Sequence, residues 1–373
     1  MSAPPRKPEE QLARHIAQAL VRHFDRGHRE MPWRHTRDPY AIWLSETMLQ
    51  QTQVRTVIPY YERFLARFPT LAALARADLS EVLALWSGLG YYRRARHLHE
   101  AASQVVSRHS GRLPDTIEEL RALPGIGRYT AGAVASIAFD RPAPVVDGNV
   151  MRVLARVYAY DRDISVPRHQ AFFWERAEEI VRAVPRIGRR PRFGDFNQAI
   201  MELGATLCTP VAPACAQCPL RSYCAARAQG RQEDLPVKAA GKAVPVVRRT
   251  ALIIFRQNRN RRQVLLFQRP PGGLWEQMWE FPALPHDRHD VAAALGLKLQ
   301  HLQSRGTVHH QLSHRTLRYH VFSAQCRAKS DPRLPPCNGP TPYAAWRWVP
   351  WPISAHPKLP LARLVHKIAA AAP

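Results

Sequence analysis

Lysine is absent from residue 8 to residue 237, and no apolar run approaches the ~18 residues of a membrane span. The second absence argues against a helical anchor. The opening MSAPPRKPEE carries charges with no apolar segment behind them, so it does not read as a secretory signal, and a cytoplasmic protein is expected. Acids are scarce as well: 29 Asp and Glu face 54 Lys and Arg, a formal charge of +25. That surplus points to a polyanionic partner, nucleic acid first. Cysteines number only six, and four of them fall within 208–224. A disulfide framework spreads its cysteines through a short secreted chain. Clustered thiols in a long chain argue instead for a metal or cluster site.

What the 373 residues do contain is enough for two domains with different periods. Leu12, Ile16, Leu20 and Phe24 recur at helical spacing, and segments from 39–54 to 195–207 repeat that pattern. Thr116 followed by Glu119 makes a capping-box start for a helix over 117–123. Strand signals are nearly missing before residue 244, so residues 1–225 are expected to form an all-α domain. Residues 226–247 are polar and rich in Ala, Gly and Pro, as a linker would be. Beyond them Ala251–Phe255 and Val264–Gln268 read as a hairpin, Thr316–Ala324 as a strand, and 357–370 as a helix. Residues 248–373 are therefore expected to form an α+β domain. From 241 onward the chain holds 20 basic and 5 acidic residues, which makes this the more basic part.

Four strings carry chemistry. Leu123-Pro-Gly-Ile-Gly-Arg-Tyr129 joins two predicted helices through Gly125 and Gly127. Free amides and a helix N-terminus there make either a phosphate seat or a plain packing corner. Asp147, in Val145-Val146-Asp147-Gly148-Asn149, precedes a periodic helix and can serve as its N-cap. A helix N-terminus also favours negative charge, so capping does not exclude catalysis. Glu46 lies between Ile42 and Leu49 on a helix that is apolar on most sides. A carboxyl there is either paired with a buried Arg or has a raised pKa suited to a proton donor. Cys208, Cys215, Cys218 and Cys224, spaced C-x6-C-x2-C-x5-C, could hold zinc or an iron–sulfur cubane. Zinc sites usually show two close cysteine pairs, and only Cys215 and Cys218 make one here.

Taken in chain order, from Glu46 through 123–129 and Asp147 to the four cysteines, the strings resemble the adenine DNA glycosylases of the MutY type, within the endonuclease III superfamily. The Gly125–Gly127 string is similar to their helix-hairpin-helix, and Asp147-Gly148-Asn149 to the variant typical of adenine glycosylases. The resemblance implies Glu46 as catalytic acid, Asp147 beside the reacting sugar, and Tyr129 and Asn149 orienting them. It implies that Gln51 and Tyr91 fill the stack vacated by a flipped adenine, with Arg34, Gly125 and Gly127 also at the DNA. It implies a [4Fe–4S] cluster on the four cysteines. In the relatives the loop between the first two cysteines is often basic, whereas 209–214 here has no Lys or Arg.

Gly272-Gly-Leu-Trp275-Glu276-Gln277-Met-Trp-Glu-Phe-Pro282 resembles the Nudix-like domain with which these enzymes recognise oxidised guanine. Ser313 and His314 fall on the Ser-His of the family's Phe-Ser-His, with Leu312 replacing the aromatic. Nudix hydrolysis needs clustered glutamates for magnesium. After Pro282 only Asp287 and Asp290 are nearby and 291–330 has no acid, so pyrophosphatase activity is not expected. The expected partner is duplex DNA with adenine opposite 8-oxoguanine or guanine, bound by a monomer. Two rival readings fit the same strings less well. A glycosylase/lyase needs a pocket lysine, and the corresponding position is Tyr129. A silent DNA-binding module would have no use for both Glu46 and Asp147.

Overall fold

The computed structural model describes residues 8–187, 190–239, 243–258, 261–285, 295–326, 332, 343–356 and 358–372. By contacts the chain divides into two units, one of residues 1–76 and 97–241, the other of 77–96 and 242–373. The second unit thus includes a segment that the sequence pattern leaves inside a continuous helical domain.

The first unit is helical. Helix α1 (Pro8–Arg26) buries Ile16, Ala17, Leu20 and Phe24 in the main core. Helix α2 (Pro39–Leu49) starts where the Asp38 carboxylate accepts the Tyr40 amide at 3.0 Å, with Pro39 in the first turn. Its residues Tyr40 to Met48 are all buried. The apolar pattern over 39–54 predicts a longer helix, but α2 stops at Leu49 and Gln51 takes a left-handed φ of 56°. Then follow α3 (Val54–Arg67), α4 (Leu71–Ala75), α5 (Leu79–Leu85) and α6 (Arg93–Arg108), with α5 and the start of α6 in the second unit.

Helix α7 (Ile117–Ala122) begins at Thr116, whose hydroxyl accepts the Glu119 amide at 3.3 Å. It leads into α8 (Arg128–Phe139), α9 (Gly148–Val157) and α10 (Pro167–Arg182). A two-residue pair β1 (Arg186–Ile187) and β2 (Arg190–Pro191) precedes α11 (Phe193–Thr206) and α12 (Ala225–Ala228). Among the described residues no helix is long and apolar enough to cross a membrane. The stretch expected as linker is partly bound: Leu235 is buried, and its carbonyl accepts Arg156 Nε at 2.9 Å. The Val237 carbonyl accepts the Ile164 amide at 3.0 Å. A polar composition hid these backbone anchors.

In the second unit β3 (Val246–Asn258) and β4 (Arg261–Gln268) form the expected hairpin, with Phe255 opposite Val264. Short β5 (Trp279–Glu280) and β6 (Ala283–Pro285) pair with β4 and β3. Strand β7 (Leu299–Gln311) pairs antiparallel with β8 (Thr316–Cys326), and β8 runs parallel to β3. Strand β9 (Ala345–Pro350) covers β4, and α13 (Arg363–Ala369) ends the chain. Leu252, Ile254, Leu265, Phe267, Leu295 and Leu297 share one core cluster. Strand β7 escapes sequence pattern because it is a mostly exposed edge strand without apolar alternation. Asp287 and Asp290 lie outside the described residues.

Candidate active site

The site in the first unit is built on α2, α8, α9 and α11. Glu46 is 5% exposed in the all-buried α2. Tyr129, in the first turn of α8, donates its hydroxyl to Glu46 Oε2 at 2.8 Å and lies 3.1 Å from Met201 Sδ of α11. Burial raises the Glu46 carboxyl to about 7, and the Asp147 charge adds to this against the opposing pull of the Tyr129 hydrogen bond and Arg34. Burial and the same two carboxylates push the Tyr129 phenol well above its ordinary value, so it stays a donor.

Asp147 caps α9. Its Oδ1 accepts the Val150 amide at 2.7 Å, and Asn149 Nδ2 donates to Oδ2 at 3.1 Å. Arg152 holds Asn149 from behind, donating to its Oδ1 at 2.9 Å and to the Gly204 carbonyl at 2.7 Å. Gly204 must be glycine, since an added Cβ would sit 2.7 Å from the Asn149 Cβ. Asp147 also lines a cleft of about 730 Å³ with Asn149, Arg152, Gln170 and Lys238. The Glu46 carboxyl is buried and raised to about 7, whereas Asp147 lines a cleft that Glu46 and Tyr129 do not line. That is the asymmetry an acid and a charge stabiliser require.

Arg34, expected at the DNA, is engaged inside the protein. Its side chain is 6% exposed, and it donates to Glu202 Oε2 at 2.8 Å and to the Arg29 carbonyl at 2.7 Å. Arg29 Nε completes the cluster on Glu202 Oε1 at 2.7 Å. Burial would raise the Glu202 carboxyl, but the hydrogen bonds from Arg29 and Arg34 hold it down to about 2. Glu202, Arg29, Arg152 and Gly204 were missed in the sequence. A signal for Glu202 existed, because it stands in the apolar run Ala199-Ile-Met-Glu-Leu203 just as Glu46 stands in α2.

Gln51 and Tyr91, each in its own unit, are exposed turn residues and not core packing. Tyr91 is 44% exposed, and the two have left-handed φ values of 56° and 49°. Strain of this kind in non-glycine residues clusters at functional sites. Gly125 has φ 76°, and a Cβ there would strike His97 at 2.6 Å. Gly127 caps α8, and a Cβ on it would meet nothing within 4 Å, so the amides at this helix start remain approachable. Ser313 and His314 are exposed at the tip joining β7 to β8, with their side chains 3.5 Å apart.

Burial pushes the Cys218 thiol up to about 11, with Cys208, Cys224 and Cys215 adding to it. Arg156 Nη1 lies 3.3 Å from Cys208 Sγ, and Cys224 Sγ 3.4 Å from the Arg156 carbonyl. Among the described residues no three His, Cys, Asp or Glu close into a metal-binding group. The donor set itself is four half-buried thiols beside an arginine, with no carboxylate or histidine. It suits a thiolate-bound cluster. The 209–214 loop turns through Ala212 at φ 46° and leaves Val211 79% exposed.

Residues 44–179 match the HhH-GPD superfamily of base excision DNA repair proteins, and residues 250–371 match the NUDIX domain family. The chain is 39% identical to the adenine DNA glycosylase of Rattus norvegicus, over 89% of this chain and 73% of the relative. It is 38% identical to the adenine DNA glycosylase of Homo sapiens, over 88% of this chain and 69% of the relative. A solved thermostable thymine-DNA glycosylase covers 60% of this chain and all of its own, with TM-score 0.53 and 28% identity. With both domains matched and such relatives spanned over most of their length, the chain belongs to the adenine DNA glycosylase family of base-excision repair N-glycosylases.

Proposed function

We propose that this protein removes adenine mispaired with 8-oxoguanine or guanine in duplex DNA and leaves an abasic site. The observation that carries the reading is the buried Glu46 carboxyl, held by the Tyr129 hydroxyl at 2.8 Å and raised to about 7 by burial and by the Asp147 charge. Adenine is a poor leaving group as an anion, and inside a duplex it is out of reach until flipped. Glu46 donates its proton to N7. The C1′–N9 bond then breaks with its electron pair going to N9, and adenine departs neutral. The cationic sugar is stabilised or captured by Asp147, water adds at C1′, and the water's proton returns to Glu46. Tyr129 orients Glu46, and Asn149 orients Asp147, through the bonds given above.

Gln51 and Tyr91 fill the vacated stack, and the Gly125–Gly127 turn seats a phosphate at the start of α8. Arg34 acts within the protein, as one of the charges that set the Glu46 proton affinity. Ser313 and His314 hydrogen-bond the opposite base, where guanine and its 8-oxo form differ by one carbonyl oxygen and the hydrogen at N7. Adenine release from such a duplex should leave an intact abasic site and no borohydride-trapped adduct, because Tyr129 stands where a lyase needs lysine. Efficient nicking by the wild type would refute the monofunctional part. Failure to release adenine would refute the whole.

Cys208, Cys215, Cys218 and Cys224 hold a [4Fe–4S] cluster in this reading. Those thiolates, with Cys208 and Cys224 in contact with Arg156 of α9, would hold the cluster, which would supply a cross-link over 208–224. Purified protein should be brown, absorbing broadly near ~400 nm as thiolate-bound iron–sulfur proteins do. Stoichiometric zinc without iron or sulfide is the contrary result.

A further inference from the structure

The Gly272–Met278 turn has no part in the proposed chemistry, yet it is among the most constrained segments of the second unit. Gly272 and Gly273 have φ 84° and 85°, and Trp275 and Gln277, two bulky residues, have φ 55° and 58°. Backbone bonds between Arg269 and Met278 (2.9 Å) and between Gln277 and Arg269 (3.1 Å) close the turn. Glu276 Oε2 accepts the Gly272 amide at 2.6 Å. Strain held this firmly needs a reason beyond joining two strands.

The turn faces two ways, and both ends lie in the same unit, which contains residues 77–96. On one side it grips Arg96, only 11% exposed. Arg96 Nε lies 2.8 Å from Glu276 Oε1, Nη1 donates to Gln277 Oε1 at 2.6 Å, and Nη2 donates to the Glu276 carbonyl. Arg96 is one helical turn beyond Tyr92, whose carbonyl its amide meets at 3.2 Å. The Tyr91 loop has a second tether, since Ser87 Oγ donates to the Leu361 carbonyl and Leu361 bridges Trp279. On the other side the Trp275 ring meets the His310 ring edge to face at 5.8 Å. His310 is on β7, three residues before Ser313.

We infer that the Trp275–Gln277 turn is a positioning device that joins Tyr91 to the Ser313–His314 tip through Arg96 and His310. The residue that enters the base stack and the residues that read the opposite base are thereby held in one frame. Arg96, Glu276 and Gln277 touch no reacting atom in this scheme; they act through Tyr91. The inference rests on the roles proposed above for Tyr91, Ser313 and His314.

A double-mutant cycle between Arg96 and Tyr91 tests it in the full chain. Binding is measured to a duplex with a non-cleavable 2′-fluoro adenosine opposite 8-oxoguanine, alongside the fluorescence of 2-aminopurine placed next to the mispair. Tyr91→Ala should weaken binding about tenfold, the scale of one aromatic–base stack. Arg96→Ala should weaken it about fivefold and change the 2-aminopurine signal in the same direction, and the double variant should be no weaker than Tyr91→Ala alone. Effects that multiply overturn the inference, since Arg96 would then act independently of Tyr91. If Arg96→Ala fails to fold, Gln277→Ala enters the same cycle with the same expectation. A Tyr91→Ala protein that binds normally overturns the stacking role and the inference with it. Loss of lesion preference in Ser313→Ala/His314→Ala beside a multiplicative cycle leaves the base-reading role standing and removes only the coupling.

Discussion

Glu46→Gln is expected to cut base excision by about 10²–10⁴-fold, the usual contribution of a positioned general acid. Mispair binding should stay within a few-fold, because the amide keeps the size of the carboxyl and can still accept the Tyr129 hydrogen bond. Single-turnover excision with excess enzyme, beside binding to the non-cleavable duplex, separates the two effects. Excision within threefold of wild type would remove Glu46 from the chemistry. The pH profile gives an independent reading. Glu46 must be protonated to act, so wild-type excision should fall as pH rises through about 7, where burial has placed its carboxyl. Stability follows the same sign. A carboxyl whose folded pKa is raised contributes fully below its ordinary range and loses that contribution as pH rises through the folded value. Wild type should therefore lose stability between roughly pH 4.5 and 7 from this group, and Glu46→Gln should lack that component.

Asp147→Asn should reduce excision by about 10²–10³-fold, as expected when a preorganised charge is taken from a developing cation. Asparagine is as good an N-cap as aspartate, so its side-chain oxygen can still accept the Val150 amide. The melting temperature should hardly change, and the loss then belongs to the charge and not to α9. A second signature follows from the coupling of the two groups. The Asp147 charge helps raise the Glu46 carboxyl, so the alkaline limb of the residual activity should move to lower pH. Near-normal excision would leave Asp147 as a cap alone, and a limb that does not move would remove its influence on the Glu46 carboxyl.

Residue type and spacing alone made part of this protein legible. Glu46 was visible as a carboxyl inside an apolar helix, Asp147 as a charge ahead of a periodic one, and the four cysteines as a single cluster. The two domain classes followed from the change of period after residue 244. These are local signals, and local signals survive in one dimension. Tertiary structure decided what depends on residues far apart in the chain. It buried Arg34 against Glu202, 168 positions away, where the sequence offered it to DNA. It stopped α2 at Leu49, so that Gln51 stands on a turn, although the apolar pattern ran on to residue 54. It bound residues 235–237 to the helical unit and gave residues 77–96 to the other one. The physical reason is common to all of these. A buried charge takes whichever partner the packed chain brings within hydrogen-bond distance, and a segment joins the unit that satisfies its backbone and apolar surface. Neither choice is encoded by the neighbours of a residue in sequence.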